Sequence, residues 1–430
     1  MNDPLRVAIA GLGTVGVGVI KILEKHKDLI AERAGREIII SSVSARRKNQ
    51  ERGVDLSSYR WVDNAADLAG LADVDIVIEL IGGEDGIAYE LCQNSLKNYK
   101  SLVTANKALL AHHGAELANL AQDSNVALRF EAAVAGGIPI IKAIGEGLAA
   151  NELNLVYGII NGTTNYMLSQ MEATGKSYDQ ILEETDALGY LEADPALDLD
   201  GIDAAHKLAI LSSVAFGTKT DFDNIYIEGI RHIKTIDINY AKELGFRIKL
   251  LGISKYENGT LSQRVHPVMI DRNLAIAGVM DGFNAIVVDG DFIDRTFYQG
   301  RGAGEGPTAS AVVADLIDIA RGHKGPAFFI PADKLTVAKP ISINQRHGAY
   351  YIRLNVSDLD LAITEITTVL NDAGICPDVM LQKASQDDDS FHVIMTIYEI
   401  QEMAIKDAVY RINELSSVIE TPLSIRIESL

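Results

Sequence analysis

The chain has 430 residues, a formal net charge of −20 and 47% hydrophobic content, so it can bury a substantial core and is long enough for two or three domains. The negative balance argues against non-specific nucleic-acid binding, which needs cations against phosphate, and equally against docking on an anionic membrane. Two cysteines, Cys92 and Cys376, without C-x-x-C or a Cys/His cluster, exclude a disulfide framework and a thiolate zinc site and point to a reducing, cytoplasmic setting. The opening residues M-N-D-P-L-R-V-A-I-A do not read as a signal peptide, and no uncharged run approaches the roughly 18 apolar residues of a membrane span.

In chain order, the apolar run Leu5–Ala10 predicts a strand that leads into Gly11-Leu12-Gly13-Thr14-Val15-Gly16 and then an amphipathic helix through Glu24 and Lys25. Strand, G-x-G-x-x-G, helix is the context that a dinucleotide-binding turn requires. Gly11 allows the tight turn and Gly13 the approach of a pyrophosphate. Gly16 permits close helix–strand packing, and Thr14 and Val15 open the helix whose N-terminus receives the phosphates. The next strand, Glu37–Ser44, ends in Ser44-Ala45-Arg46-Arg47-Lys48. Asp or Glu at that point would hold the ribose hydroxyls of NAD; three cations instead suit the 2′-phosphate of NADP, although a solvated basic turn looks the same and NAD stays open. Further strands are predicted at Val74–Leu80, Ser101–Thr104 and Val126–Phe130, with helical segments Ala66–Gly70, Ala88–Lys97 and Gly114–Asp123 between them. This alternation implies an α/β domain, residues 1–130, with a Rossmann-type doubly wound parallel sheet. Lys107, after the strand Ser101–Thr104, falls at a carboxyl strand end, where ligands bind; an ordinary surface lysine fits the position equally well.

Beyond Phe130 the chain reads Glu131-Ala132-Ala133-Val134-Ala135-Gly136-Gly137-Ile138-Pro139, a tight loop that can turn carbonyls toward a hard cation, although spacing alone favours a plain interdomain crossover. Asn161-Gly162-Thr163-Thr164-Asn165-Tyr166 is a polar turn that opens a helix. The segment Thr185–Lys207 holds Glu192, Asp194, Asp198, Asp200 and Asp203 ahead of Lys207. Asp194-Pro195 and Gly201 place the earlier acids in a loop feeding a helix over Ile202–Phe216, and the spacing of four puts Asp203 and Lys207 on one face of that helix. Such a patch can hold an ammonium group on its acids while the lysine exchanges a proton with a reacting oxygen. The competing reading is a solvated acidic loop with an ordinary helix-stabilising pair. A strand-rich stretch, roughly Val265–Asp289, leads to Gly300-Arg301-Gly302-Ala303-Gly304-Glu305-Gly306-Pro307-Thr308 and another helix start. Residues 324–347, with Pro326, Pro331 and Pro340, read as a linker. Residues 348–430 give the order strand, helix, strand, strand, helix, strand: Tyr350–Val356, Asp360–Ala373, Ile375–Lys383, Phe391–Tyr398, Ile400–Leu415 and Val418–Glu428. That order is ferredoxin-like.

The ordered motifs GLGTVG, TANK, EAAVAGGIP, NGTTNYML, GYLEADPALDLDGIDAAHK and GRGAGEGPTAS resemble those of homoserine dehydrogenase over residues 1 to about 320. The family signature has alanine where Thr185 and Leu191 stand here; both lie beside the acids rather than on them. The resemblance implies reversible reduction of L-aspartate-4-semialdehyde to L-homoserine with NAD(P)H, in the biosynthesis of threonine, methionine and isoleucine. It implies an α+β substrate-binding and dimerisation domain over residues 131–323, and a homodimer or homotetramer. By position, Lys207 would protonate the aldehyde oxygen, Asp203 would orient it, and Glu192 and Asp198 would hold the substrate ammonium. Lys107 would contact substrate, cofactor and the reacting oxygen. Gly189 and Gly304 would line the cofactor and substrate cleft. Glu131, with the carbonyls of Val134, Gly136 and Ile138, would bind a structural sodium ion. The last segment looks like an ACT domain, the module that many such enzymes use for feedback inhibition by threonine. It departs from the ACT pattern in one place, with Ser357-Asp358-Leu359-Asp360-Leu361 where a Pro-Gly turn is usual. A related dehydrogenase acting on another amino acid, and a catalytically silent amino-acid sensor, are the alternatives.

Overall fold

The computed structural model describes residues 3–189, 194–385 and 389–430. Strands Leu5–Ala10 (β1), Ile38–Ser44 (β2), Arg60–Trp61 (β3), Ile76–Glu79 (β4), Ser101–Thr104 (β5) and Leu128–Arg129 (β6) form one parallel sheet in the order β3-β2-β1-β4-β5-β6. The order turns back between β1 and β4, and in such sheets ligands bind at the carboxyl ends beside that point. Val7, Ala8, Ile9 and Ala10 are fully buried, which is why β1 is continuously apolar rather than alternating. The helix Thr14–Lys25 packs on this sheet together with Glu305–Ala320, a helix from much later in the chain: Val19 and Ile20 share a core with Val312 and Leu316. Gly18 permits that contact, because a Cβ there would lie 2.9 Å from the Ala309 side chain.

The remaining strands are Leu153–Ile159 (β7), Tyr226–Ile227 (β8), Phe246–Glu257 (β9), Thr260–Asp271 (β10), Phe283–Gly290 (β11), Asp294–Arg301 (β12), Lys339–Pro340 (β13), His347–Val356 (β14), Pro377–Ala384 (β15), Phe391–Gln401 (β16) and Leu423–Ile427 (β17). They make a second sheet in the order β12-β11-β7-β9-β10-β17-β14-β16-β15, with β8 and β13 on β10. The strand-rich stretch therefore starts at Phe246, earlier than the sequence indicates, because β9 (F-R-I-K-L-L-G-I-S-K-Y-E) carries lysines and a glycine that blur its apolar pattern. The helix expected from Gly114 begins at Lys107, where the Asn106 side chain accepts the Leu109 N–H at 3.1 Å and caps it.

The last segment runs β14, helix Leu359–Asp372, β15, β16, helix Glu402–Asn413, β17, around its own core of Ile352, Leu354, Ile366, Met395 and Ile412. It is fastened to the preceding sheet twice. The backbones of β10 and β17 pair in parallel, Val268 opposite Arg426 and Met269 opposite Ile427. Buried ion pairs also cross the seam: Arg353 on β14 meets Asp237 on the helix Thr235–Glu243 at 2.7 Å, and Arg426 bridges Glu402 at 2.6 Å and Glu228 at 2.7 Å. Residues 324–347 form a packed strap, with Ala327, Phe328, Ala332 and Leu335 in the main core and Thr336 N–H donating to the Gly217 carbonyl at 3.0 Å. Of the three aspartates between β15 and β16, Asp387 and Asp388 lie outside the described residues.

Candidate active site

At the end of β1 two glycines are required by the protein's own packing. Gly11 has φ +101°, and a Cβ there would lie 2.3 Å from the Leu80 carbonyl oxygen; a Cβ on Gly16 would lie 2.1 Å from the Gly11 carbonyl oxygen. Gly13 differs, since an added Cβ meets no atom within 4 Å. No contact among the described residues calls for glycine at that position, and the open space beside it is where a ligand's phosphates could approach the backbone. Thr14 and Val15 follow as the first helical residues, with their N–H groups at the uncapped end of the helix.

Arg46 and Arg47 are exposed beyond the end of β2, next to this loop, and the Gly11 N–H donates to the Ser44 carbonyl at 2.9 Å. Arg52 joins the two segments, donating from Nε to the Leu12 carbonyl at 3.2 Å and from Nη1 to the Gln50 carbonyl at 2.8 Å, with its guanidinium over the Trp61 ring. Sequence reasoning missed Arg52, which lies beyond the basic run and is recruited only by the folding back of residues 47–52.

The carboxyl end of β4 is held by Glu79. Its buried carboxylate accepts from Thr104 Oγ1 at 2.6 Å, Ile81 N–H at 2.7 Å and Gly82 N–H at 3.1 Å. Burial pushes this carboxyl's pKa up, against the pull of those donors. Asn106 donates to the Gly83 carbonyl at 2.7 Å while capping the helix Lys107–Asp123. Loop Ile81-Gly82-Gly83 and the base of Lys107 are thus positioned by one hydrogen-bonded unit.

Lys107 reaches from there to the second sheet's helix Ile202–Phe216. Its Nζ lies 2.8 Å from Asp203 Oδ1, and Lys207 Nζ lies 2.7 Å from Asp203 Oδ2. Lys207 also donates to the Ile160 carbonyl at 2.9 Å. Asp203 is only 4% exposed, which rules out the solvated helix pair that the sequence left open. Burial alone would raise its pKa, but Lys207 and Lys107 outweigh burial and hold the carboxyl well below the usual carboxylate range. The side chain of Lys107 is 31% exposed and that of Lys207 9%, so the two amines differ in their access to solvent.

Asn161 binds both acids from one amide, donating to Asp198 Oδ1 at 2.6 Å and Asp203 Oδ2 at 2.8 Å, while its carbonyl accepts the Thr164 N–H at 2.8 Å and caps the helix Gly162–Thr174. The sequence marks Asn161 as a helix cap; its role between two acids depends on the meeting of three segments. Asp198 is buried on the short helix Ala196–Leu199. Gly189 is exposed with φ +71°, and Glu192 lies outside the described residues. Gly304, with φ +124° and ψ 163°, caps the helix Glu305–Ala320 in a conformation that favours glycine. The structure thus brings Lys107, Asp198, Asp203 and Lys207 together.

The Glu131 loop is a separate feature. Its buried carboxylate accepts the Ile141 N–H at 2.9 Å and the Lys142 N–H at 3.0 Å. Lys142 Nζ pairs instead with Asp315 at 3.1 Å and Asp318 at 2.6 Å. Burial, and after it Asp315, push the Glu131 pKa up to about 7. Ala135 adopts φ +46°, the Ile138 N–H donates to the Ala135 carbonyl at 2.6 Å, and the Gly136 N–H donates to the Gly302 carbonyl at 2.9 Å. Among the described residues this buried carboxylate forms no ion pair, and beside an irregular stretch of main chain it could hold a cation.

A family profile described as homoserine dehydrogenase, NAD binding domain, matches residues 11–131, and one described as homoserine dehydrogenase matches residues 139–317. The homoserine dehydrogenase of Pseudomonas aeruginosa is 42% identical over 434 residues, covering 99% of each chain, and that of Bacillus subtilis is 33% identical, covering 99% of this chain and 98% of its own. Among solved structures, a homoserine dehydrogenase from Thiobacillus denitrificans superposes with a TM-score of 0.92 at 41% identity, over 99% of this chain and 98% of that one. A hyperthermophilic archaeal homoserine dehydrogenase in complex with NADPH has a TM-score of 0.63 at 25% identity, over 74% of this chain and 97% of that one. With relatives well above 30% identical along almost their whole length, the chain belongs to the homoserine dehydrogenase family of NAD-binding oxidoreductases.

Proposed function

We propose that the chain reversibly reduces L-aspartate-4-semialdehyde to L-homoserine with NADPH preferred over NADH, on the route to threonine, methionine and isoleucine in the cytoplasm. The observation that carries this reading is the buried Asp203 flanked by Lys207 and by Lys107, two amines delivered by different sheets. When bound, the reduced nicotinamide supplies a hydride to the aldehyde carbon. The oxygen of that carbonyl then gathers negative charge, and Lys207 gives it a proton. Asp203, held ionised, stabilises the ammonium form of Lys207 before transfer and fixes its direction. In the reverse direction the neutral amine takes the hydroxyl proton. Lys107, the more accessible amine, touches the substrate and stabilises the same oxygen. Asp198 and Glu192 hold the substrate ammonium, and Gly189 and Gly304 leave room for substrate and cofactor. Purified protein should consume NADPH on addition of the semialdehyde; no loss of NADPH absorbance would refute the reading.

Gly11, Gly13, Thr14, Val15 and Gly16 would hold the pyrophosphate, and Arg46 and Arg47 the 2′-phosphate. With both arginines changed to alanine, NADPH should lose about 1.5–3 kcal/mol for each charged hydrogen bond removed, while NADH is unaffected. The ratio of kcat/KM for the two cofactors measures this, and an unchanged ratio would leave the basic run without a role.

A sodium ion on Glu131 and the carbonyls of Val134, Gly136 and Ile138 would supply the charge that the buried carboxylate lacks. The sign follows from linkage. With the folded pKa raised from 4.5 to about 7, the ion-free protein loses stability as pH rises through that window. Bound sodium should restore it, so sodium chloride should raise the thermal midpoint at pH 8 more than choline chloride does, with little difference at pH 5. Glu131→Gln should abolish the difference.

The division is into residues 1–130 for the dinucleotide, 131–323 for substrate and subunit pairing, a strap over 324–347, and a ferredoxin-like ACT module over 348–430. The strand order β17-β14-β16-β15 supports the last assignment. In place of a Pro-Gly turn, Asp358 caps the helix Leu359–Asp372 by accepting the Leu361 N–H at 3.0 Å. Threonine is the proposed effector and a homodimer or homotetramer the assembly. Adding threonine to the same assay tests the effector.

A further inference from the structure

We propose that Glu84, His112 and His206 form a binding site for a first-row divalent transition metal ion of the zinc type, beside the lysine–aspartate centre. The residues come from three places: the loop after β4, the helix Lys107–Asp123 and the helix Ile202–Phe216. One ligand atom from each lies within 4.8 Å of the other two, and Glu84 Oε2 is 3.1 Å from His112 Nε2. Two imidazoles and one carboxylate are a donor set that zinc uses with three protein ligands, leaving a fourth position for water. With bonds of about 2.0–2.2 Å the donors need only draw modestly together, and Glu84 is an exposed side chain able to move.

Two features go beyond a surface Glu–His pair. His206 is buried, with its ring 5.7 Å from that of His112, so the cluster reaches from the surface into the packed interior. Phe222 lies against both rings, stacked on His206 at 4.6 Å and tilted against His112 at 4.7 Å, which limits their rotation. A simple surface contact accounts for Glu84 and His112 but not for a third ring, oriented by Phe222, at the same point.

The position has a consequence for the reaction. His112 shares its helix with Lys107, and His206 shares its helix with Asp203 and Lys207. An ion joining them fixes the spacing of the helices that carry both amines and adds positive charge near them. Metal should therefore slow the reaction, and a chelator should reverse the effect.

The test uses the full chain, stripped with EDTA and titrated with cobalt(II) chloride, whose visible absorption reports a low-coordinate nitrogen and oxygen environment. A single equivalent should bind, and His112→Gln and Glu84→Gln should each weaken binding by about tenfold or more. Both changes sit at partly exposed side chains, and an unchanged thermal midpoint without metal verifies that the variants fold. No cobalt spectrum at large excess, or equal affinity in both variants and the parent, overturns the site. The readout is independent of dehydrogenase turnover, so it stands whether or not the semialdehyde is the substrate.

Discussion

Changing Lys207 to alanine should lower kcat by about a hundred- to ten-thousandfold, the range expected for loss of a positioned proton donor, and should leave NADPH affinity nearly unchanged. Lys207 Nζ is fixed by Asp203 at 2.7 Å and the Ile160 carbonyl at 2.9 Å. Lys107 approaches Asp203 from the other carboxylate oxygen and from a different sheet. Steady-state kinetics with a separate fluorescence titration of NADPH decide the matter; a near-normal rate removes Lys207 from the proton-transfer role. The variant retains the Lys107 and Asn161 contacts to Asp203, which should preserve its fold. Asp203 also sets an acid limit. Its folded pKa is depressed, so the stability it contributes is present above the ordinary value of 3.8 and is lost as pH falls through the folded value below that.

Asp237→Ala should destabilise the protein by about 3–5 kcal/mol, the cost of leaving one member of a buried pair without its partner. Asp237 is 0% exposed and Arg353 is 3% exposed; the arginine Nε donates at 2.7 Å, and the Tyr351 hydroxyl donates to the same oxygen at 3.1 Å. The loss falls at the seam where β14 and β17 join the preceding sheet, so urea unfolding should show the last segment releasing early. The double change Asp237→Leu with Arg353→Met should recover much of the loss, because a well-packed apolar pair removes both desolvated charges. A single variant within about 0.5 kcal/mol of the parent would mean that water reaches the pair. Deleting 348–430 is the blunter experiment, since it strips Asp237 and Glu228 of their arginines at once.

Local signals carried far where chemistry is local. The helix Ile202–Phe216 was legible residue for residue, because Gly201 and Gly217 bound it and its apolar spacing is regular. The strands Leu5–Ala10 and Ser101–Thr104 were equally clear, being short apolar runs between turn residues. Strand β9 was not, since its buried Lys249 is satisfied by the Asn165 side chain and the Val279 carbonyl, partners that no pattern in F-R-I-K-L-L announces. The helix Glu305–Ala320 was placed by chain order with the second domain, yet it packs on the first sheet, because Gly18 leaves space for Ala309.

The amino-acid sequence by itself determined the glycine turn after β1, the spacing that puts Asp203 and Lys207 on one helix face, and the family to which these motifs belong. Those features depend on neighbours within a few residues, where bond geometry and helix periodicity act. Only the tertiary structure decided that Lys107 meets Asp203 and that Asn161 ties Asp198 to it. It alone brought His112 to His206 and joined the last strands to the preceding ones by the pairing of β17 with β10 and by ion pairs to Asp237 and Glu228. Each of these joins residues far apart in the chain, and whether such a pair forms depends on how the packed elements exclude water around it, a property of the folded molecule that no stretch of sequence contains.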